Sequence, residues 1–410
     1  MKSLRVKAFM FVFLTAVFYP SLCLRGQTLP DPSSDAPELG SLSAVLIDAA
    51  TGTLLYYKNP DEEIPPASLT KLMTMHLVLQ EAEAGRLPLE KIIRPPRESW
   101  YQNQPYRSSL MYLTEGQQLS IRELLLGMAV PSGNDAAAAL ALQLAPSVAD
   151  FVELMNQEAA RLGLVKTRFT EPSGISEYNM TTAREFAAFC RVYLEKHPYV
   201  LADYHSVTRF VYPKPENIAG TGKAEPGTHV HRNTNDLLGT VEGVDGLKTG
   251  YIDEAGYNLA LTAQREGTRF IAVILGAPAR YGGKQIRDED GRRLLDWAFS
   301  HYKTVRPILP GLEPVRIWKG KTNLAELVPA AALEFTSLKE RAARLYWKTE
   351  LVSPLIAPVP AGTPAGDLVL FDDLGELRRV PLVTAADTGQ GGFFKRLWDA
   401  VQLFFSSPKA

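Results

Sequence analysis

The sequence predicts an α/β fold: an antiparallel sheet flanked by helices, a helix-rich block, then a small all-β domain and a C-terminal amphipathic helix. Three observations predict it. Short β-prone runs stand at both ends of a long helical stretch, so one sheet must be completed by segments distant in the chain. Beyond Pro307 to Gly311 the chain changes to short β-prone pieces punctuated by Pro and Gly. Close to the C-terminus, aromatic residues return at helical spacing.

With 410 residues, 46% hydrophobic and 22% charged, the chain can bury a full core and fill two to three domains. A net charge of −1 leaves no electrostatic footprint for nucleic acid, and 29 prolines with 30 glycines exclude collagen-like or largely disordered chains. Cys23 and Cys190 cannot build a disulfide scaffold or a four-thiolate metal site.

Residues 1–23 carry Lys2, Arg5 and Lys7, an apolar run from Ala8 to Phe18, the break at Pro20 and small residues at Ser21 and Cys23. This is the pattern of a cleaved secretory signal; an uncleaved anchor is the alternative, although the run is short for a bilayer. Export is therefore expected, with a mature charge of −4 once these three cations are removed. Residues 24–41, rich in Pro, Ser and Asp, read as a linker.

Residues 42–306 form the first domain. Ser43 to Asp48 and Leu54 to Lys58 read as an opening hairpin, and Ser68 to Ala84 as a helix. Leu119 to Leu144, Ala149 to Leu162 and Thr181 to Lys196 continue the helical block, the last holding Cys190 on its apolar face. Gly246 to Tyr251, Asn258 to Gln264 and Arg269 to Gly276 are antiparallel strand candidates, followed by a helix from Gln285 to His301. Residues 307–388 form the β-rich domain, with strands near Val315 to Trp318, Leu324 to Val328, Leu368 to Phe371 and Val380 to Val383. Residues 393–405 place Phe393, Phe394, Leu397, Trp398, Val401, Phe404 and Phe405 on one stripe, with Lys395, Arg396, Asp399 and Gln402 opposite. Too short and too charged to span a membrane, this helix is expected to insert at a lipid surface, its cationic face on anionic headgroups; docking on a protein is the other option.

Three segments carry the chemistry. Ser68-Leu69-Thr70-Lys71 begins a helix, so a hydroxyl and an amine three residues apart share one face. Helix N–H groups favour negative charge near Ser68, and a desolvated Lys71 beside another cation would accept the hydroxyl proton. The same pattern at Ser300-His301-Tyr302-Lys303 is read as coincidence on a helix end. Ser132-Gly133-Asn134 follows Pro131 at a break between helical stretches, presenting a hydroxyl and a carboxamide from a turn; capping of the next helix is its structural alternative. Lys248-Thr249-Gly250 lies in a predicted strand where Lys and Gly are both ill-suited, and Gly250 would let a ligand backbone approach closely.

In that order, Ser-x-x-Lys, Ser-x-Asn and Lys-Thr-Gly resemble the signature set of the penicillin-binding, serine-active D-alanyl peptidase and β-lactamase superfamily. The resemblance sharpens to the low-molecular-mass penicillin-binding D-alanyl-D-alanine carboxypeptidases, through Pro66 to Thr74, Ser108 to Met111, Ser132 to Ala136, Val244 to Gly250 and Ala255 to Leu259. It implies a β-lactamase/transpeptidase-like serine peptidase domain over residues 42–306, with no cofactor and no metal. It implies that Lys71 is the general base for Ser68, that Ser132 relays the proton to the leaving amine and that Asn134 holds the substrate amide. Backbone N–H groups of Ser68 and Tyr251 would form the oxyanion hole, and Lys248 and Thr249 would bind the terminal carboxylate beside Gly250. The expected partners are a peptidoglycan pentapeptide, β-lactam antibiotics as covalent inhibitors and a membrane surface. The expected location is the periplasmic face of the bacterial cytoplasmic membrane, held peripherally.

Two positions depart from the pattern: Tyr251 stands where relatives often have His, and Thr234 where an Arg is expected. Arg280 could supply the missing charge or be a surface-loop arginine. A β-lactamase is the nearest rival, yet no Glu-x-x-Leu-Asn lies between Ser132 and Lys248, and Glu171 reads as a loop residue. A metallo-peptidase through His229 and His231 lacks His-Glu-x-x-His, and the two rings are expected on opposite faces of a strand, while His76 reads as packed in its helix. A non-catalytic peptidoglycan-binding scaffold is the remaining alternative.

Overall fold

The structure, a computed structural model, describes residues 35–218, 227–280, 282–309, 311–341, 345–352 and 354–406. The expected leader, Cys23 and most of the linker lie outside the described residues. The described chain runs through β1 (Ser43–Asp48), β2 (Leu54–Lys58), a 3-10 turn at Ala67–Thr70 and α1 (Lys71–Glu83). Two short paired strands, β3 (Ile92–Ile93) and β4 (Leu119–Ser120), lead to α2 (Ile121–Ala129), α3 (Asn134–Leu144), α4 (Val148–Arg161) and α5 (Ala183–Lys196). The paired β5 (Arg209–Tyr212) and β6 (His229–Arg232) enclose α6 (Pro215–Ile218); β7 (Val244–Ile252), β8 (Gly256–Arg265), β9 (Thr268–Ala277) and α7 (Gly283–His301) follow.

The main sheet has the order β2-β1-β9-β8-β7 and is antiparallel throughout. β1, from the start of the chain, enters between its own hairpin partner and the last strand, so the sheet is completed by distant segments as expected. Strand alternation sorts its apolar residues into two cores. Val45, Ile47, Ile271 and Val273 join Leu72, Phe186 and Phe189 of the helical block. Ala44, Leu46, Leu261 and Ile274 join Leu294, Leu295 and Ala298 of α7. That double coverage explains why β1 is buried along its whole length.

β7 forms one edge of the sheet. Against it lies the Ala67–Thr70 turn, and Gly250 sets how close: a Cβ there would stand 2.9 Å from Pro66 O and 3.0 Å from Ser68 N. The close approach anticipated for a ligand at Gly250 is thus made first by the chain's own serine turn. Behind it, Gly174 has φ +87°, and a Cβ there would collide with Ala67 O.

α2 starts with a capping box in which Ser120 Oγ accepts from Glu123 N and Ser120 N donates to the Glu123 carboxylate. It ends at Ala129, and the chain turns through Ser132 at φ +65° before α3 starts. The capping alternative for Ser132 does not hold: the residue before α3 is Gly133, which has no side chain to cap the helix.

The second part comprises β10 (Tyr302–Val305), β11 (Val315–Trp318), β12 (Leu324–Ala325), β13 (Leu327–Pro329), β14 (Phe335–Leu338), β15 (Tyr346–Leu351), β16 (Leu355–Ile356), β17 (Pro364–Asp372) and β18 (Gly375–Thr384). They form sheets in the orders β10-β14, β12-β11-β16 and β13-β18-β17-β15. β10 leaves α7 directly and pairs with β14, so residues 302–305 join the β-rich part rather than the domain before it. The buried Asp48 fastens the junction, its Oδ2 accepting from Thr304 Oγ1 at 2.8 Å and Thr336 Oγ1 at 2.9 Å.

α8 (Phe393–Ser406) closes the described chain. Its polar side is spent on the protein: Asp399 accepts from Lys319 N at 2.6 Å and from Lys395 Nζ at 2.9 Å, and Gln402 accepts from Arg316. Of the face expected to lie on headgroups, Asp399 and Gln402 are thus turned to the β-rich part, whereas Arg396 is exposed and donates to Gln390. Outward stand Phe394, Phe404 and Phe405, each at least 80% exposed. Among the described residues no single helix is long and apolar enough to cross a membrane.

Candidate active site

The serine turn and the first residue of α1 put Ser68 and Lys71 together, with Lys71 Nζ 2.9 Å from Ser68 Oγ. Two further groups surround that amine: Asn134 Oδ1 at 2.7 Å and the Ser173 carbonyl at 2.6 Å. Lys71 is fully buried, and burial pulls its pKa down to about 7 against the opposing carboxylates of Glu171 and Asp135.

Asn134 opens α3 and faces the amine because its neighbour is pinned. The buried Asp135 carboxylate accepts from the N–H groups of Met111, Leu113 and Ala136 at 2.9 to 3.1 Å, while Asn134 N donates to Ser109 O. This binds the Ser108–Leu113 segment to α3, and Asn134 Nδ2 donates to Ser108 Oγ at 3.1 Å. Ser132 Oγ is buried with no hydrogen-bond partner among the described residues, a costly state for a hydroxyl that has no other use.

Glu171 holds the loop that carries the Ser173 carbonyl. Its carboxylate accepts from Ser173 N at 2.8 Å and from Ser173 Oγ, Gly174 N and Asn179 Nδ2. Both its oxygens are occupied, which leaves neither free to activate a water.

Lys248 is buried in β7, its Nζ 3.1 Å from Thr249 O. Burial, then Lys71 and Arg287, lowers its pKa well below the ordinary value. An arriving carboxylate would restore its charge. Thr249 Oγ1 donates to Thr234 Oγ1 at 2.6 Å, so Thr234 does stand beside the Lys-Thr-Gly strand. Tyr251 points outward, donating to Asp253 Oδ1 at 2.6 Å, and its ring meets Tyr257 at 4.3 Å. A cleft of about 360 Å³ opens over Ser68, Ser109, Asn134, Gly174 and Tyr251.

Arg280 does not join this group. It is exposed after the end of β9, which β8 separates from β7, and it does not line the cleft. The other Ser-x-x-Lys pattern is inert: Ser300 Oγ donates to Trp297 O of its own helix at 2.7 Å. His76 is packed, with Nδ1 2.9 Å from His197 Nε2 and Nε2 2.9 Å from Glu158. The reading of His229 and His231 needs correction, because residues two apart in a strand share a face. Both rings stand over Tyr112, at 4.2 and 6.2 Å. Among the described residues no three His, Cys, Asp or Glu side chains form a metal-holding group. Sequence reasoning missed the Ser173 carbonyl, which as a backbone atom has no side-chain signature, and Arg107 and Asp253 on the cleft walls; the Glu-Pro-Ser-Gly run was the one available signal for the first.

A mixed helix and sheet core whose edge strand packs on a Ser-Lys helix start, followed by a β-rich part, defines a serine hydrolase with the penicillin-binding protein fold. The chain belongs to the D-alanyl-D-alanine carboxypeptidase family, peptidase S11, which matches residues 31–279; residues 302–390 match the penicillin-binding protein 5 C-terminal domain. The D-alanyl-D-alanine carboxypeptidase DacC of Escherichia coli is 33% identical over 97% of this chain and 94% of its own. DacF of Bacillus subtilis is 31% identical over 86% of each. Penicillin-binding protein 5 of Haemophilus influenzae superposes with a TM-score of 0.75 at 30% identity, covering 86% of this chain and 99% of that one.

Proposed function

We propose that the chain removes the terminal D-alanine from peptidoglycan pentapeptide stems through an acyl-enzyme on Ser68, and that β-lactams acylate the same hydroxyl. One observation carries this: the surroundings of the Lys71 amine. A neutral amine has two N–H groups and one lone pair. Asn134 Oδ1 and Ser173 O can only accept, so they take both N–H groups and leave the lone pair to the Ser68 hydroxyl. With its pKa near 7 the amine is neutral in an appreciable fraction of molecules at neutral pH.

Ser68 Oγ then attacks the carbonyl between the two D-alanines as its proton passes to Lys71. The N–H groups of Ser68 and Tyr251 receive the oxyanion, Lys248 and Thr249 hold the terminal carboxylate, and Asn134 orients the acyl-donor amide. Ser132, whose hydroxyl has no partner among the described residues, passes the proton to the leaving amine. The peptide C–N bond breaks and D-alanine leaves as the Ser68 ester forms; water then attacks that ester, Lys71 accepting its proton and returning one to Ser68 Oγ, and the shortened peptide is released. The β-lactamase alternative is disfavoured because the Glu171 oxygens are committed to the Ser173–Gly174 loop.

The reading places the protein outside the cytoplasmic membrane, following a leader over residues 1–23. It rests on the membrane through the exposed aromatic face of α8, whose polar contacts to the β-rich part fix that face outward. Deleting residues 393–410 should release an active enzyme from membranes; sedimentation of the truncated enzyme with membranes would place the anchor elsewhere. The reaction itself is tested by D-alanine release from a pentapeptide, expected for the parent and abolished in Ser68→Ala. Release by that variant would refute the nucleophile.

A further inference from the structure

The walls of the cleft carry charge that the reaction as proposed does not use. Arg107, from the segment before α2, and Asp253 and Glu254, from the β7–β8 turn, all line it. Arg107 Nη1 lies 3.3 Å from Asp253 Oδ2, so this ion pair ties the two walls together. Both side chains are more than 60% exposed, which makes the pair a weak, solvent-screened contact that a ligand can open. Asp253 is nevertheless oriented, because Tyr251 donates to its other oxygen and the Tyr251 ring rests on Tyr257. Glu254 has no partner among the described residues.

The position follows from the proposed reaction, on which this inference rests. A peptide with its terminal carboxylate at Lys248 and Thr249 and its scissile carbonyl at Ser68 and Tyr251 N runs along the free edge of β7. At about 3.3 Å per residue, the residue upstream of the acylating alanine comes level with Ile252 and Asp253. A long side chain there reaches the Arg107–Asp253 pair. A lone ammonium placed between Asp253 and Glu254 would sit against the Arg107 guanidinium. A side chain ending in both an ammonium and a carboxylate avoids that repulsion, exchanging one ion pair for two: ammonium to Asp253 and Glu254, carboxylate to Arg107.

We propose that Arg107, Asp253 and Glu254 form a subsite that selects acyl donors in which the residue preceding D-Ala-D-Ala has a zwitterionic side chain. The test uses three peptides ending in X-D-Ala-D-Ala, where X is meso-diaminopimelate, L-lysine or Nε-acetyl-lysine. D-Alanine release gives kcat/KM for each, and ratios within one protein cancel any general damage caused by a substitution. The parent should favour the diaminopimelate peptide over the lysine peptide by about tenfold, mostly in KM. Arg107→Ala should bring that ratio close to one, and Glu254→Gln should lower the preference for both charged donors over the acetylated one. A parent ratio near one, or an Arg107→Ala ratio equal to the parent's, overturns the proposal. Penicillin labelling of the parent separates the two levels. If label is taken up while the ratio is one, the subsite alone falls; if no label is taken up, the reaction beneath it falls as well.

Discussion

Replacing Gly250 by Ala probes the seam between β7 and the serine turn with a single methyl group. That methyl would stand 2.9 Å from Pro66 O, 3.0 Å from Ser68 N and 3.1 Å from Ala67 Cβ. Ordinary contact between heavy atoms needs about 3.5 Å, so strand and turn must separate by about 0.5 Å. Two of the three crowded atoms are backbone, so no side chain can rotate away to relieve the contact. The displaced group is Ser68 itself, and its N–H moves with it. Catalytic constellations tolerate about 0.5 Å, and a full 1 Å misplacement costs about 100-fold, so the variant should lose about tenfold in the second-order rate of acylation. Overpacking should cost about 1–3 kcal/mol of stability, leaving the protein folded. The assay is a time course of covalent labelling by a fluorescent penicillin, with circular dichroism to confirm folding. A folded Gly250→Ala protein that acylates at the parental rate would refute the reasoning, because the methyl would then have found room without moving the serine.

Other consequences follow from the same geometry. Because Lys71 must be neutral to accept a proton and burial brings its pKa to about 7, the acylation rate should rise with pH through about 7 and level off above it; a flat profile from pH 5 to 9 would contradict the assignment. The Glu171 carboxylate favours the charged form of Lys71, so Glu171→Gln should move the inflection to lower pH, whatever it does to the plateau rate. Asp135→Ala leaves three buried N–H groups without their acceptor and should destabilise the protein by about 3 kcal/mol or more, measured by chemical denaturation. A loss below about 1 kcal/mol would mean that the Ser108–Leu113 segment is held by something else.

Much of this arrangement was legible in the sequence where side-chain type and spacing carry the information. Ser43–Asp48 reads as a strand because its β-prone run is short and bounded, and its place inside the sheet follows from strands flanking a helical block. Ser68 and Lys71 are readable because three residues along a helix start is a contact distance, and the structure places them 2.9 Å apart. The rest lay in backbone and in long-range packing. The Ser173 carbonyl is indistinguishable from any other in the sequence, although it decides where the Lys71 lone pair points. Gly250 suggested a close approach without saying that the partner is the chain's own Pro66–Ser68 turn. Lys395 looked like part of a free cationic face, whereas it donates to Asp399 one turn on, which also accepts from Lys319 N of the β-rich part. Arg280 was open to two readings in the sequence, a carboxylate partner or a surface-loop arginine, and the strand order with its exposure beyond the cleft decides for the second. β14 and β16 are too short to carry a period, and β10 joins α7 with no turn residue to announce it.

The central claim is that the Ser68 hydroxyl is the atom that becomes acylated, and peptide mapping by mass spectrometry after brief exposure to benzylpenicillin tests it most directly. One intact penicilloyl group per chain is expected, on the peptide containing Ser68, and none in Ser68→Ala. An adduct on any other residue, or none on a folded parent protein, would contradict the account.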